Sequence, residues 1–195
     1  MGEGKDFGVV VLISGSGSNL QAIIDARLPL TIRAVISNKA EAYGLERARQ
    51  AGIPTEVIDH REFADRPAFD AALQQRIDRY QPDLVVLAGF MRILTDELVN
   101  HYRGRMINIH PSLLPKYRGT NTHTRAIEAG DTVAGCSVHW VTPELDAGPV
   151  LLQAEVPIHP GDNADTLAAR VLEQEHKIYP EAIRRIASGE IHWPN

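Results

Sequence analysis

The spacing of apolar and polar positions changes period repeatedly along the chain, and that alternation sets the expected architecture. Residues 7–13 form an unbroken apolar run rich in valine. A strand with one face in water would alternate, so this one is expected to be covered on both faces. It ends at Ser14-Gly15-Ser16-Gly17-Ser18-Asn19, and from Leu20 the spacing becomes helical, with Leu20, Ile23, Ile24 and Arg27 on one side up to Pro29. A second apolar strand, 32–36, leads through Ser37-Asn38 into a helix carrying Leu45, Ala48 and Arg49, closed by Gly52 before Pro54. A short strand at 55–58 follows, then helical spacing of Phe69, Leu73, Ile77 and Tyr80, and after Pro82 a strongly apolar strand at 84–88.

The second half is less regular. Residues 95–102 read as a short helix, and Arg103-Gly104 turns the chain into the run Met106-Ile107-Asn108-Ile109-His110, which Pro111 stops. Pro111, Pro115 and Gly119 make the next stretch a loop, and a helix over 122–129 ends at Gly130. Strands are expected at 137–141 and 150–158, antiparallel to one another across the acidic turn Glu144-Leu145-Asp146-Ala147-Gly148-Pro149. The last helix starts near Ala164 with Asp162 or Asn163 as cap and buries Leu167, Val171, Ile178 and Ala182; Pro180 is expected to kink or split it. The pattern predicts an α/β fold, a Rossmann-like, mostly parallel twisted sheet with helices on both faces and an antiparallel C-terminal strand pair.

Composition narrows the function classes. A chain of 195 residues, 44% hydrophobic and 23% charged, is long enough for one substantial core. Its net charge of -5, with both signs interspersed, offers no basic stripe for nucleic acid and no polybasic membrane patch. Cys136 stands alone, which suits a reducing compartment, and Met1-Gly2-Glu3-Gly4-Lys5-Asp6 lacks the charged-then-apolar order of a signal peptide. No apolar run approaches the ~20 residues that span a bilayer. A cytoplasmic protein, monomer or homodimer, with small-molecule partners, is expected.

Two stretches carry candidate chemistry. Gly15-x-Gly17 begins like a dinucleotide fingerprint, but Leu20 holds the third glycine position, and Ser37-Asn38 replaces a ribose-binding acid. No Gly-Lys-Ser/Thr follows, so it is not a Walker loop either. What remains is glycine-permitted N–H groups, the Ser18 hydroxyl and the Asn19 amide at a helix start, which suits one phosphate monoester; a tight turn with a good cap is the competing reading. Asn108 and His110, two apart on a strand, point to one face and offer two donors to one oxygen, as a tetrahedral oxyanion needs. A satisfied structural histidine is the alternative. Asp146 can orient His110, hold its charge or help move a proton. His110, His123 and His139 with Cys136 show no metal-ligand spacing, and Ser112 lacks a nucleophile elbow.

Asn108-Ile109-His110-Pro111-Ser112-Leu113-Leu114-Pro115 with the downstream Glu144–Pro149 turn resembles the signature of the folate-dependent formyltransferases. The stretches 13–21 and Gly89-Phe90-Met91-Arg92-Ile93-Leu94 bring the likeness closest to the branch that acts on glycinamide ribonucleotide, from about residue 7 to residue 187. The resemblance implies formyl transfer from 10-formyltetrahydrofolate, as co-substrate, to the amine of glycinamide ribonucleotide, with no metal. It implies Asn108, His110 and Asp146 as the catalytic trio and Gly17, Ser18 and Asn19 as the phosphate grip, with Arg66 near the phosphate. Glu175 would take the ribose, and Met91, Arg92, Ile93, Leu94 and Asp146 would form the folate slot. Glu175 also falls on the buried stripe, four after Val171 and three before Ile178. Residues 1–195 are expected to be one formyltransferase domain, with a nucleotide half at about 7–100 and a catalytic and folate-binding half at about 88–187. Related functions are weighed against this. A formylase of initiator tRNA needs a further, basic domain. A formyltetrahydrofolate hydrolase shares the trio but commonly adds an N-terminal regulatory domain, and a non-catalytic folate or nucleotide sensor would not need the trio intact.

Overall fold

The computed structural model describes residues 6–194, so the leader reading of Met1–Lys5 and the terminal Asn195 lie outside the described residues. Its frame is a seven-stranded sheet in the order β3-β2-β1-β4-β5-β6-β7. The strands are β1 (Gly8–Ile13), β2 (Thr31–Ser37), β3 (Thr55–Val57), β4 (Leu84–Leu87), β5 (Met106–His110), β6 (Val133–Trp140) and β7 (Val150–Pro157). β1 to β5 run parallel; β6 is antiparallel to β5, and β7 to β6. The helices are α1 (Ser18–Asp25), α2 (Tyr43–Gln50), α3 (Arg66–Arg79), α4 (Asp96–His101), α5 (Thr122–Glu128) and α6 (Ala164–Ala187), with a short 3-10 turn at His60–Glu62.

The unbroken apolar strands have the cause inferred from their sequence. On one face Val9, Val11, Ile13, Val86, Ile107 and Ile109 meet Leu20 and Ile23 of α1, Leu45 and Ala48 of α2, and Tyr179, Ala182 and Ile183 of α6. On the other, Val10, Leu12, Val85, Leu87 and Met106 meet Phe69, Leu73 and Ile77 of α3 and Leu98 and Tyr102 around α4. Each fully buried aliphatic side chain contributes roughly 1.5–3 kcal/mol relative to exposure, so a polar replacement on either face of β1 or β4 is costly. The Tyr179 hydroxyl donates to the Leu87 and Ile107 carbonyls at 2.7 and 3.3 Å, which fixes α6 against β4 and β5.

Three elements differ from the sequence expectation. β6 starts at Val133 rather than 137, because Gly135, a residue that normally weakens a strand, sits where the chains approach too closely for any Cβ: the Ala154 carbonyl oxygen would lie 2.0 Å away. α6 is one continuous helix of 24 residues despite Pro180, and the packing of Tyr179, Ala182 and Ile183 on the sheet spans the proline and holds both halves in register. α3 begins at Arg66, ahead of Phe69 where the helical spacing of apolar residues starts, because Asp65 caps the Ala68 N–H and proline lies just inside the start.

Candidate active site

In an open α/β sheet the crevice forms at the carboxyl ends of the strands where the strand order reverses. Here the order runs outward from β1 to β2 on one side and to β4 on the other. The loops after β1 and β4 therefore diverge from one crevice, and the end of β5 lies beside them. These are the glycine loop, the Gly89–Leu94 segment and His110. Ser14, at the end of β1, ties this edge together: its hydroxyl donates to the Asn38 Oδ1 beyond β2 at 2.6 Å and accepts the Met91 N–H beyond β4 at 2.8 Å.

Glycine is required in the first loop. Gly17 has a φ of 73°, and a Cβ there would stand 2.5 Å from the Gly44 Cα. The first turn of α1 has no side-chain cap, and among the described residues no protein group accepts the N–H of Ser16, Gly17, Ser18 or Asn19. Four consecutive free amides at a helix start form a nest suited to an anion. Asn19 faces inward and its Nδ2 donates to Glu175 Oε1 on α6 at 3.1 Å, while its Oδ1 is buried without a partner. Burial raises the Glu175 carboxyl above its ordinary value, and the Asn19 hydrogen bond opposes that shift only in part. Gly17, Ser18, Asn19 and Glu175 are thus brought together. Arg66 is not: it is exposed on the first turn of α3 and has no hydrogen bond or ion pair to this loop.

The second cluster is made of side chains. Asn108 and His110 share the β5 face opposite Ile107 and Ile109, as their spacing requires. His110 Nε2 lies 2.8 Å from the Tyr117 carbonyl oxygen, which can only accept, so that nitrogen carries a proton. His110 Nδ1 stands 3.5 Å from Asp146 Oδ2, and both side chains are only 7% exposed. Asp146 arrives on the turn between β6 and β7 with a φ of 52°, and its Oδ2 also accepts the Gly119 N–H at 2.8 Å. The loop between β5 and α5 therefore supplies two main-chain groups, the Tyr117 carbonyl and the Gly119 amide, that hold His110 and Asp146 in place.

His139 belongs to this cluster too, although its sequence position suggested nothing more than a weak metal candidate. The antiparallel register sets it opposite Asn108. Its Nδ1 is 3.0 Å from the Trp140 carbonyl oxygen and its Nε2 is 3.3 Å from Asn108 Nδ2. Burial lowers its pKa, opposed by that carbonyl and by the Asp146 charge, so the ring is neutral with its proton on Nδ1 and a bare Nε2. A bare Nε2 accepts from the Asn108 amide. That contact fixes which end of the amide faces the crevice and leaves its second N–H free. Ser137, opposite His110, holds the loop after β5: its hydroxyl donates to the Ser112 carbonyl at 2.7 Å and accepts the Leu114 N–H at 3.0 Å. The signal that could have found both residues is Ser137-x-His139, the same two-apart polar pair as Asn108-x-His110.

The segment after β4 forms an apolar lip. Met91 and Ile93 are 73% and 60% exposed, whereas Leu94 packs on the α3 side of the core and the Arg92 guanidinium lies 5.1 Å over the Phe69 ring with Nε buried and unpartnered. Large apolar side chains held in the open beside a polar crevice suit a flat aromatic ligand. Among the described residues no group of three or more His, Cys, Asp or Glu side chains is arranged to hold a metal ion, and no helix is long and apolar enough to cross a membrane.

Comparisons with known proteins match most of the chain. The formyl transferase family model matches residues 8–183. The chain is 59% identical to the phosphoribosylglycinamide formyltransferase of Escherichia coli K12 over 94% of its own length and 88% of that protein. It is 50% identical to the trifunctional purine biosynthetic protein adenosine-3 of Bos taurus, covering 94% of this chain but 18% of that protein. Among solved structures, a phosphoribosylglycinamide formyltransferase from Coxiella burnetii in complex with CHES superposes with a TM-score of 0.93 at 57% identity, over 98% of this chain and 92% of that one. Glycinamide ribonucleotide transformylase 1 from Symbiobacterium toebii does so with a TM-score of 0.92 at 49% identity, over 96% and 90%. With the sheet, the glycine loop and the Asn108–His110–Asp146 corner all inside the matched span, the chain belongs to the formyl transferase family.

Proposed function

We propose that the protein transfers the formyl group of 10-formyltetrahydrofolate to the primary amine of glycinamide ribonucleotide, giving formylglycinamide ribonucleotide and tetrahydrofolate in purine biosynthesis. The observation that carries this reading is the meeting of Asn108, His110 and Asp146 at the end of β5, one strand away from the crevice that the free amides of residues 16–19 line. The phosphate of the nucleotide lies on those amides and its ribose on Glu175, with the pterin against the 91–94 lip and Asp146. Arg66 serves the phosphate through its charge from the edge of the site rather than by a fixed contact. Residues 1–195 act as one formyltransferase domain in the cytoplasm.

The chemistry follows from which nitrogen is available. His110 Nε2–H is committed to Tyr117, so Nδ1, beside the Asp146 carboxylate, is the atom that faces chemistry. The amine attacks the formyl carbon, the carbonyl π electrons move to oxygen, and the developing oxyanion takes N–H donors from Asn108 Nδ2 and His110 Nδ1. The separation of 3.5 Å to Asp146 is long for a hydrogen bond, so Nδ1–H can be shared with the oxyanion while the ring stays held on Tyr117. Asp146 then relays the amine proton towards the folate nitrogen, whose C–N bond breaks as the carbonyl reforms. Donors placed this way are each worth about 3 kcal/mol in comparable sites.

The test is a product assay with the purified protein. Consumption of 10-formyltetrahydrofolate should require glycinamide ribonucleotide and give formylated nucleotide and tetrahydrofolate in equal amounts. Folate turnover without the amine would replace this reading with the hydrolase, and no turnover with both substrates would leave a binding protein.

A further inference from the structure

We infer that Arg47 is the positioning residue of the glycine loop, setting nucleotide affinity through the main chain rather than by touching the ligand. The inference rests on the reading of residues 16–19 as the phosphate grip.

Nothing in the loop itself holds its amides outward. α1 has no side-chain cap, and Gly17 is free to adopt many backbone conformations. The restraint comes from α2. The Gly44 N–H donates to the Gly15 carbonyl at 3.0 Å, and Arg47 Nε donates to the next carbonyl, that of Ser16, at 2.7 Å. In a trans peptide the C=O and N–H point in opposite directions. Holding the Gly15 and Ser16 carbonyls on α2 therefore turns the Ser16 and Gly17 amides away from it, into the row continued by Ser18 and Asn19. Arg47 is itself fixed on two more sides: Nη1 lies 3.4 Å from Gln21 Oε1 on α1, and the guanidinium sits 4.9 Å over the Tyr43 ring. A planar donor fork that bridges a loop carbonyl and the following helix while stacking on an aromatic ring is a task lysine cannot perform, because lysine offers a point charge on a flexible stem.

The experiment is steady-state kinetics and nucleotide binding on the full-length protein and on Arg47→Ala, Arg47→Gln and Arg47→Lys, with a folate analogue as control. In all three variants the KM for glycinamide ribonucleotide should rise about tenfold, the equivalent of one charge-assisted hydrogen bond, while kcat and the folate KM stay within about twofold. Retained folate-analogue affinity shows that the variants are folded. A nucleotide KM unchanged in Arg47→Ala would overturn the inference, and so would full restoration by lysine, which would make the contribution one of charge. A parallel fall in kcat and rise in folate KM would overturn it too, in favour of a general structural role. Wild-type protein that binds no phosphorylated amine fails differently, because it removes the phosphate-grip reading itself before Arg47 is reached.

Discussion

The two halves of the crevice are built from different materials. The loop after β1 presents main-chain amides, and its side chains matter through what they hold: Gly17 by having none, Asn19 by reaching back to Glu175. The corner at the end of β5 is made of side chains from two stretches that lie far apart in sequence, 108–110 and 139–146, each side chain with a second partner that fixes its orientation. An inert, symmetric dianion needs several donors in a fixed row, and a helix start gives that with few residue identities constrained. A reacting carbonyl changes charge during the reaction, so its donors must be individually aimed and protonated. Substitution should accordingly act on kcat at one end of the crevice and on nucleotide KM at the other.

The largest separation is expected at the corner. Asp146→Asn or His110→Ala should lower kcat by about a thousandfold, with nucleotide KM changed by only a few-fold, because the loss falls on groups that act in the transition state. Rapid-quench measurement of single turnovers checks this directly. Equal effects on kcat and nucleotide KM would break the division. The mirror experiment is Gly17→Val. Its Cβ would meet the Gly44 Cα at 2.5 Å in a left-handed conformation that valine strongly resists. The substitution should cost about 1–3 kcal/mol of stability and raise nucleotide KM by roughly a hundredfold, with folate-analogue affinity unchanged. Thermal melts alongside isothermal titration separate the two effects.

The same contrast governs how much was legible in the sequence. The strands and most helices announce themselves because burial on both faces writes continuous apolar runs and period changes into the chain. Asn108 and His110 were visible as polar residues where the sheet expects apolar ones. Asp146 looks like any acid in a surface turn, and only the antiparallel return of β6 and β7 brings it to His110. His139 was hidden by the same topology: its role exists only through its register with Asn108, and register across a 31-residue gap is not a local property. Arg47 is hidden for another reason, since it acts on a backbone carbonyl, which carries no residue identity. Helix existence was legible, but helix ends such as Arg66 depended on a cap at Asp65 rather than on apolar period.

His139 sharpens the contrast through pH. Its pKa is lowered chiefly by burial, so at neutral pH its bare Nε2 accepts from Asn108. Once acid protonates it, two donors face each other and the amide must rotate. His139→Gln, which keeps an acceptor without a titrating ring, should lower neutral-pH kcat by no more than about tenfold and flatten the acid limb of the kcat profile assigned to this histidine. Stability follows the same sign. The unfolded chain takes up the proton at the ordinary histidine value and the folded one only below it, so this residue's penalty appears as pH falls below about 6.5. An acid limb unchanged in the variant would remove His139 from the corner.

The smallest effect tests whether the main-chain half uses any charge of its own. Glu175 is a buried carboxyl with a raised pKa, caused first by burial and relieved in part by Asn19. A group raised in the folded state disfavours folding once pH climbs from the ordinary carboxylate range through its folded value, because the unfolded chain ionises earlier. Glu175→Gln keeps an oxygen acceptor for Asn19 Nδ2 and discards the buried charge, so its Tm should exceed that of the wild type at neutral pH, and the gain should shrink as pH drops into the carboxylate range. If the ribose hydroxyls are held by that carboxylate, nucleotide KM should rise several-fold in the same variant, in line with exchanging a charged acceptor for a neutral one. A stabilised variant with weaker nucleotide binding means that the fold tolerates an unfavourable buried charge for the sake of its ligand. A stabilised variant with unchanged KM would instead make Glu175 a strut for Asn19 and leave the phosphate amides as the sole grip on the nucleotide.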